Sequence, residues 1–156
     1  MEIQENREGR EMGPQWIRPN LQSERGEIER VIREFLSEEI TEENIRRIVK
    51  ILEGSPLSDL SDDEWSVLEN TDSFQNVRAG HIEDAEQFTK EKNQELKPEN
   101  KRDFEALLNA FRQGSSMEAP TILKHKGVLH LMSGDTRLMI SRGLNILPKV
   151  IMGEIG

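Results

Sequence analysis

The chain has 156 residues, 30 acidic and 21 basic, giving a net charge of −9, with hydrophobic residues at 34%. Such a chain holds one domain, or a small domain with a helical annex, around a modest core, and its acid excess argues against direct binding of duplex DNA or an anionic membrane. The lack of cysteine excludes disulfides, thiol catalysis and Cys-ligated zinc; no apolar run is long enough to span a membrane, and Met1 to Arg18 lacks the apolar centre of a signal peptide, so a cytoplasmic location is expected.

Residues 1–22 carry Gly9, Gly13, Pro14 and Pro19 among charges without sustained periodicity, which predicts an extended arm docked through Trp16 and Ile17. Ser23 is a candidate N-cap for a helix with Ile28, Val31, Ile32, Phe35 and Leu36 on one stripe. Thr41 caps a second helix, with Ile45, Ile48, Val49 and Leu52 inward and Gly54-Ser55-Pro56 as its stop. The two are expected to pair as a helical hairpin. Ser61 and Glu64 have capping-box spacing ahead of Trp65 and Leu68, which gives a short third helix. Glu69 to Asn76 reads as a loop. A weaker amphipathic helix runs from Ile82 to Leu96, with Ile82, Ala85 and Phe88 inward. Pro98 is expected to open the next, which carries Phe104, Leu107, Leu108 and Phe111 to a Gly114 C-cap.

Beyond Gly114 the texture changes. Thr121 to His125 and Val128 to Met132, joined by Lys126-Gly127, predict a β-hairpin. Ser133-Gly134-Asp135-Thr136-Arg137 then leads into a helix closed by Gly143, and Val150 to Met152 gives a third strand. The order is β-β-α-β. The strands at Val128 and Val150 are expected to lie parallel through a right-handed crossover, with the Phe104 to Phe111 helix covering the sheet. A strand-to-helix turn of this kind directs backbone N–H groups and the positive end of a helix dipole at an anion, above all a phosphate. Arg137 can add a bidentate guanidinium to the same anion.

These features together, namely the helix ending at Gly114, the strand beginning Ala119-Pro120-Thr121, the Gly127 turn, Ser133-Gly134-Asp135-Thr136-Arg137, and Gly143-Leu144 followed by Pro148-Lys149-Val150, resemble the ParB/sulfiredoxin-like superfamily over about residues 104–152. The resemblance implies nucleotide phosphate chemistry. Its G-x-x-R turn would cradle phosphates, with Gly134 allowing close approach, Ser133, Asp135 and Thr136 contributing to the turn, and Arg137 neutralising charge. Asp135 would then be a Mg²⁺ ligand or a general base; the alternative is a helix cap. For Arg137 the alternative is a surface ion pair. Glu118 is either a second metal carboxylate or a solvated linker acid. The superfamily's reductase carries a cysteine where this chain has Asp135, which excludes that activity. The partition clamp carries further arginines where this chain has Thr136 and Met139, which counts against clamp-type CTP switching.

His130 reads as a packing residue, His81 as a candidate cap and His125 as a neighbour of the hairpin turn; no two histidines have metal-ligand spacing. No G-x-x-x-x-G-K-[ST] sequence occurs. The reading is an α+β protein made of an arm (1–22), a helical region (23–98) and a small ParB/sulfiredoxin-like unit (99–156). The resemblance implies an ATP- or CTP-dependent kinase or NTPase using Mg²⁺ and an unspecified hydroxyl acceptor, of a kind met in phages and mobile elements. The alternative is a non-catalytic acidic adaptor or inhibitor that binds a protein partner. Homo-oligomerisation through a sheet edge fits either.

Overall fold

Capping residues and apolar stripes set most of the helices. The computed structural model describes residues 13–68 and 77–155. In chain order the elements are β1 (Gln15–Ile17), α1 (Arg25–Glu34), α2 (Glu42–Glu53), β2 (Leu57–Asp59), α3 (Asp62–Val67), α4 (Ile82–Glu95), α5 (Phe104–Gln113), β3 (Ser116–Glu118), β4 (Thr121–His125), β5 (Val128–Ser133), α6 (Asp135–Gly143) and β6 (Lys149–Ile155). The chain is mixed α+β, 50% helix and 20% strand, so the expected class holds at that level. The loop expected at Glu69 to Asn76, and most of the arm expected at 1–22, lie outside the described residues. The chain divides into two units built from non-contiguous segments. A helical unit comprises Met1–Trp16, Thr71–Met117 and Asp135–Pro148, and a sheet unit comprises Ile17–Asn70, Glu118–Gly134 and Lys149–Gly156. The sequence boundaries at 22/23 and 98/99 fall inside the sheet unit and the helical unit respectively.

In the sheet unit, four strands run in the order β2-β6-β4-β5. The β4–β5 hairpin forms as its sequence predicts. The strand at Val150 does not pair with β5, however: β6 lies parallel to β4, with Thr121 opposite Ile151. Because β4 and β5 are antiparallel, β6 is antiparallel to β5, which corrects the expected parallel crossover. Thr121, Ile122 and Leu123 are consecutive and fully buried, a run that belongs to a strand with both faces covered, and β4 is also paired along both edges. Strand β2 was not expected. Its three residues contain one apolar side chain, so it carries almost no periodic signal; pairing to β6, Leu57 opposite Ile151, is what makes it a strand.

Within this unit α1 packs on β5 and α2 on β6, through Ile28, Val31, Ile32, Ile48 and Leu52, all fully buried. The helix from Phe104 to Phe111, expected as the cover of the sheet, belongs to the helical unit and there packs on α6. Thr41 caps α2 by accepting from the Asn44 N–H at 3.1 Å, and the Ser61–Glu64 capping box is present in α3. Ser23 is not the cap of α1. A 3-10 turn, Leu21–Glu24, precedes that helix, and Asn20 caps the turn.

In the helical unit α4 packs against α6. Gly143 lies at their contact, where a Cβ would sit 2.8 Å from the Ile82 Cα. The glycine expected to stop α6 is therefore a close-packing residue. The stop is Asn145, left-handed at φ 57, with Ile146 N–H donating to Ser141 O and Asn145 N–H to Arg142 O, the two bonds of a Schellman end. Trp16 meets Phe111 edge-on with centroids 5.6 Å apart. Pro98 heads a separate 3-10 turn, and α5 starts at Asp103, whose carboxylate accepts from the Ala106 N–H at 3.0 Å. An aspartate is the better cap because it supplies an acceptor to an otherwise unpaired N–H.

Candidate functional site

The unit division falls between Gly134 and Asp135 and so cuts the strand-to-helix motif in two. In the sheet unit, the Ser133 hydroxyl shares a 2.8 Å hydrogen bond with that of Thr121. Gly134 has φ +108, and a Cβ there would lie 2.6 Å from the Pro120 Cβ. The close approach this glycine permits is thus made by Pro120. Glu118 accepts through Oε1 from the Asn20 N–H. A β-bulge between Thr121 and Ile122, with Met132 as the extra residue on β5, lies just before the motif; bulges often re-aim a strand end in this way.

In the helical unit, Asp135 is in the first turn of α6 and is 7% exposed. Its Oδ2 accepts from Arg102 Nη1 at 3.2 Å, an ion pair in which the arginine side chain is 26% exposed. Thr136 is also buried, and its Oγ1 has no hydrogen-bond partner among the described residues. Arg137 is half-buried, and its carbonyl accepts from the Ser141 hydroxyl at 2.8 Å. Arg102 is the residue that sequence reasoning missed. It lies 33 positions from Asp135 in a short polar link, and nothing in its local pattern points to a buried partner.

The position of Arg102 is fixed from its backbone. Asn93 on α4 accepts from the Arg102 N–H through Oδ1 and donates to the Arg102 carbonyl through Nδ2, both at 2.8 Å. One amide thus closes the link between α4 and α5 from both sides. Arg102 lines an open groove of about 410 Å³ with Lys90, Asn93, Lys101, Asp103 and Glu105 among its neighbours. The charges there are already partly matched. Lys90 faces Glu86 at 3.8 Å, and Asp103 is engaged as the α5 cap. Lys101, Glu105 and the outer part of the Arg102 guanidinium remain, so the groove presents charges of both signs.

Among the described residues no group of three or more His, Asp or Glu side chains is placed to hold a metal ion. Mg²⁺ does not require such a cage, since it commonly takes one or two carboxylates and completes its shell with water and phosphate oxygens. Asp135 is a single carboxylate of that kind, and its Oδ2 is engaged by Arg102. No helix among the described residues is long and apolar enough to cross a membrane. No family model matches the chain, and no curated protein or solved structure matches it either.

Proposed function

We propose that this protein binds a nucleoside triphosphate, ATP or CTP, at the head of α6 and the adjoining groove, and transfers the terminal phosphoryl group to a hydroxyl or to water. One observation carries the reading: a carboxylate, Asp135, is buried in the first turn of α6 and tied to an arginine that lines an open groove. Buried charge is costly, and a buried charged group with a specific partner beside a cleft is a candidate for a functional site. The resemblance of residues 104–152 to the ParB/sulfiredoxin-like superfamily supports the same reading, as does the β-β-α-β order from β4 to β6. In this scheme Arg102, Lys101 and Arg137 neutralise phosphate charge, as phosphoryl transfer chiefly demands. Asp135 either shares Mg²⁺ with phosphate oxygens or takes the acceptor proton while the acceptor oxygen bonds to the terminal phosphorus and the nucleoside diphosphate leaves.

Titration calorimetry with ATP, CTP and GTP plus Mg²⁺ tests this, paired with phosphate-release assays. Wild type should bind one of them in the micromolar range, and Arg137→Ala and Arg102→Gln should each weaken binding about tenfold or more, the loss of a charge-assisted bond. Absence of nucleotide binding by the folded wild type sinks the reading. A second reading has its own observation. Pro120 packed against Gly134 gives the glycine a purely structural reason, as expected of a non-catalytic acidic adaptor that keeps the fold.

A further inference from the structure

Two buried hydroxyls in the helical unit are left without partners. Thr89 of α4 is fully buried and Thr136 of α6 is 6% exposed, and neither Oγ1 has a hydrogen-bond partner among the described residues. Buried polar groups are almost always satisfied by protein or by ordered water, because a bare one forfeits its hydration. The start of α4 meets the end of α6: the Gly80 N–H donates to the Arg142 carbonyl at 2.9 Å, and a Cβ on Gly143 would lie 2.8 Å from the Ile82 Cα. Past the other end of α4, Asn93 holds Arg102, which reaches Asp135 at the head of α6. The two helices therefore run antiparallel. Thr89 lies seven residues after Ile82, and Thr136 lies seven before Gly143. Seven residues are two helical turns, about 10 Å, and return to the same face.

We infer that these two hydroxyls face one another across the α4–α6 contact and share one bound water molecule there. Counted from the Ile82–Gly143 contact, both threonines stand at the same level and on the facing sides of their helices. Ala85, one turn before Thr89 and fully buried, adds little bulk to that side of α4, which leaves room that a leucine would fill. The hydroxyls do not bond to each other, and a buried water makes about three hydrogen bonds to otherwise unsatisfied groups. Thr89 and Thr136 supply two of them. The first-turn N–H groups of α6 have no partner within the helix, and one of these can supply the third. The water thereby ties α4 to the head of α6. This site does not rest on the phosphate reading above and stands or falls apart from it.

A double-mutant cycle read by thermal melts of the full chain tests it, because valine keeps the outline of threonine and removes the hydroxyl. With a shared water, Thr89→Val or Thr136→Val alone leaves that water short of a partner, and each should lower the melting temperature by about 2–6 °C. With both changed the water departs from an apolar site, so the double variant should melt no lower than the less stable of the two single variants. Two bare hydroxyls predict the reverse: each valine raises the melting temperature, and the gains add. A rise in either single variant, or effects that sum in the double variant, overturns the shared water. Water–protein NOEs give an independent readout. Wild type should show cross-peaks from a long-lived water to the methyl groups of both Thr89 and Thr136, and the double variant should show none. Their absence from wild type overturns the site even if a valine variant fails to fold.

Discussion

Gly134 shows how a single position can satisfy two explanations. Its sequence context suggests a phosphate cradle, while its φ of +108 and the Pro120 Cβ at 2.6 Å from the missing side chain make glycine compulsory for packing alone. Gly134→Ala should therefore destabilise the fold by about 3 kcal/mol, from backbone strain and overpacking together, which lowers the melting temperature by roughly 6–12 °C for a chain of this size. A melting curve identical to wild type would show that Pro120 does not impose the glycine. Asp135 and Arg102 belong to the same scale. The aspartate stands out in the sequence because it follows a glycine at a strand-to-helix turn. The arginine does not, since an ion pair spanning 33 positions leaves no periodic trace.

At the scale of elements, the helices were legible wherever a cap and a stripe agreed. Thr41, the Ser61–Glu64 box and Gly114 act at helix ends as their spacing predicts, whereas Asp103, and not Pro98, opens α5. The start of α4 depends on a longer reach. Asp84 accepts from the Arg78 N–H, Nε and Nη2 at 2.8 to 3.0 Å, and the Arg78 guanidinium and backbone N–H push its carboxyl down from 3.8 to about 2. A depressed carboxylate stabilises the fold above its unfolded value and loses that contribution as pH falls through its folded value. Wild type and Arg78→Gln should accordingly differ in melting temperature above pH 3.8 and converge below about pH 2. Carboxyl carbon titration should place the Asp84 midpoint higher in the variant, and equal midpoints would remove the arginine from the account. On the sheet, Arg30 of α1 donates through Nη2 to the Leu131 and Met132 carbonyls at 3.2 and 3.1 Å. It thereby occupies acceptors beside the β-bulge of the outermost strand β5, which would otherwise invite pairing with another chain.

At the scale of the molecule, neither unit is continuous in sequence. The stretch 99–156 holds β4, β5 and β6 but lacks β2 and the helices α1 and α2 that bury the apolar residues of its sheet. Expressed alone, it should give a collapsed amide proton spectrum without cooperative unfolding, since three short strands expose a hydrophobic face. A dispersed spectrum from that fragment would mean that the sheet does not need α1 and α2.

The sequence by itself determined the class, the positions of the main helices, the β4–β5 hairpin and the strand-to-helix turn before α6. Each of these is encoded in neighbours a few residues apart, through caps, period and turn chemistry. Only the tertiary structure decided that β6 lies beside β4, that β2 completes the sheet, that α1 and α2 cover it, and that Asp135 meets Arg102. Those facts depend on which buried faces and charges find one another across tens of residues. Free energy of burial depends on the assembled contact, not on the local pattern of either partner.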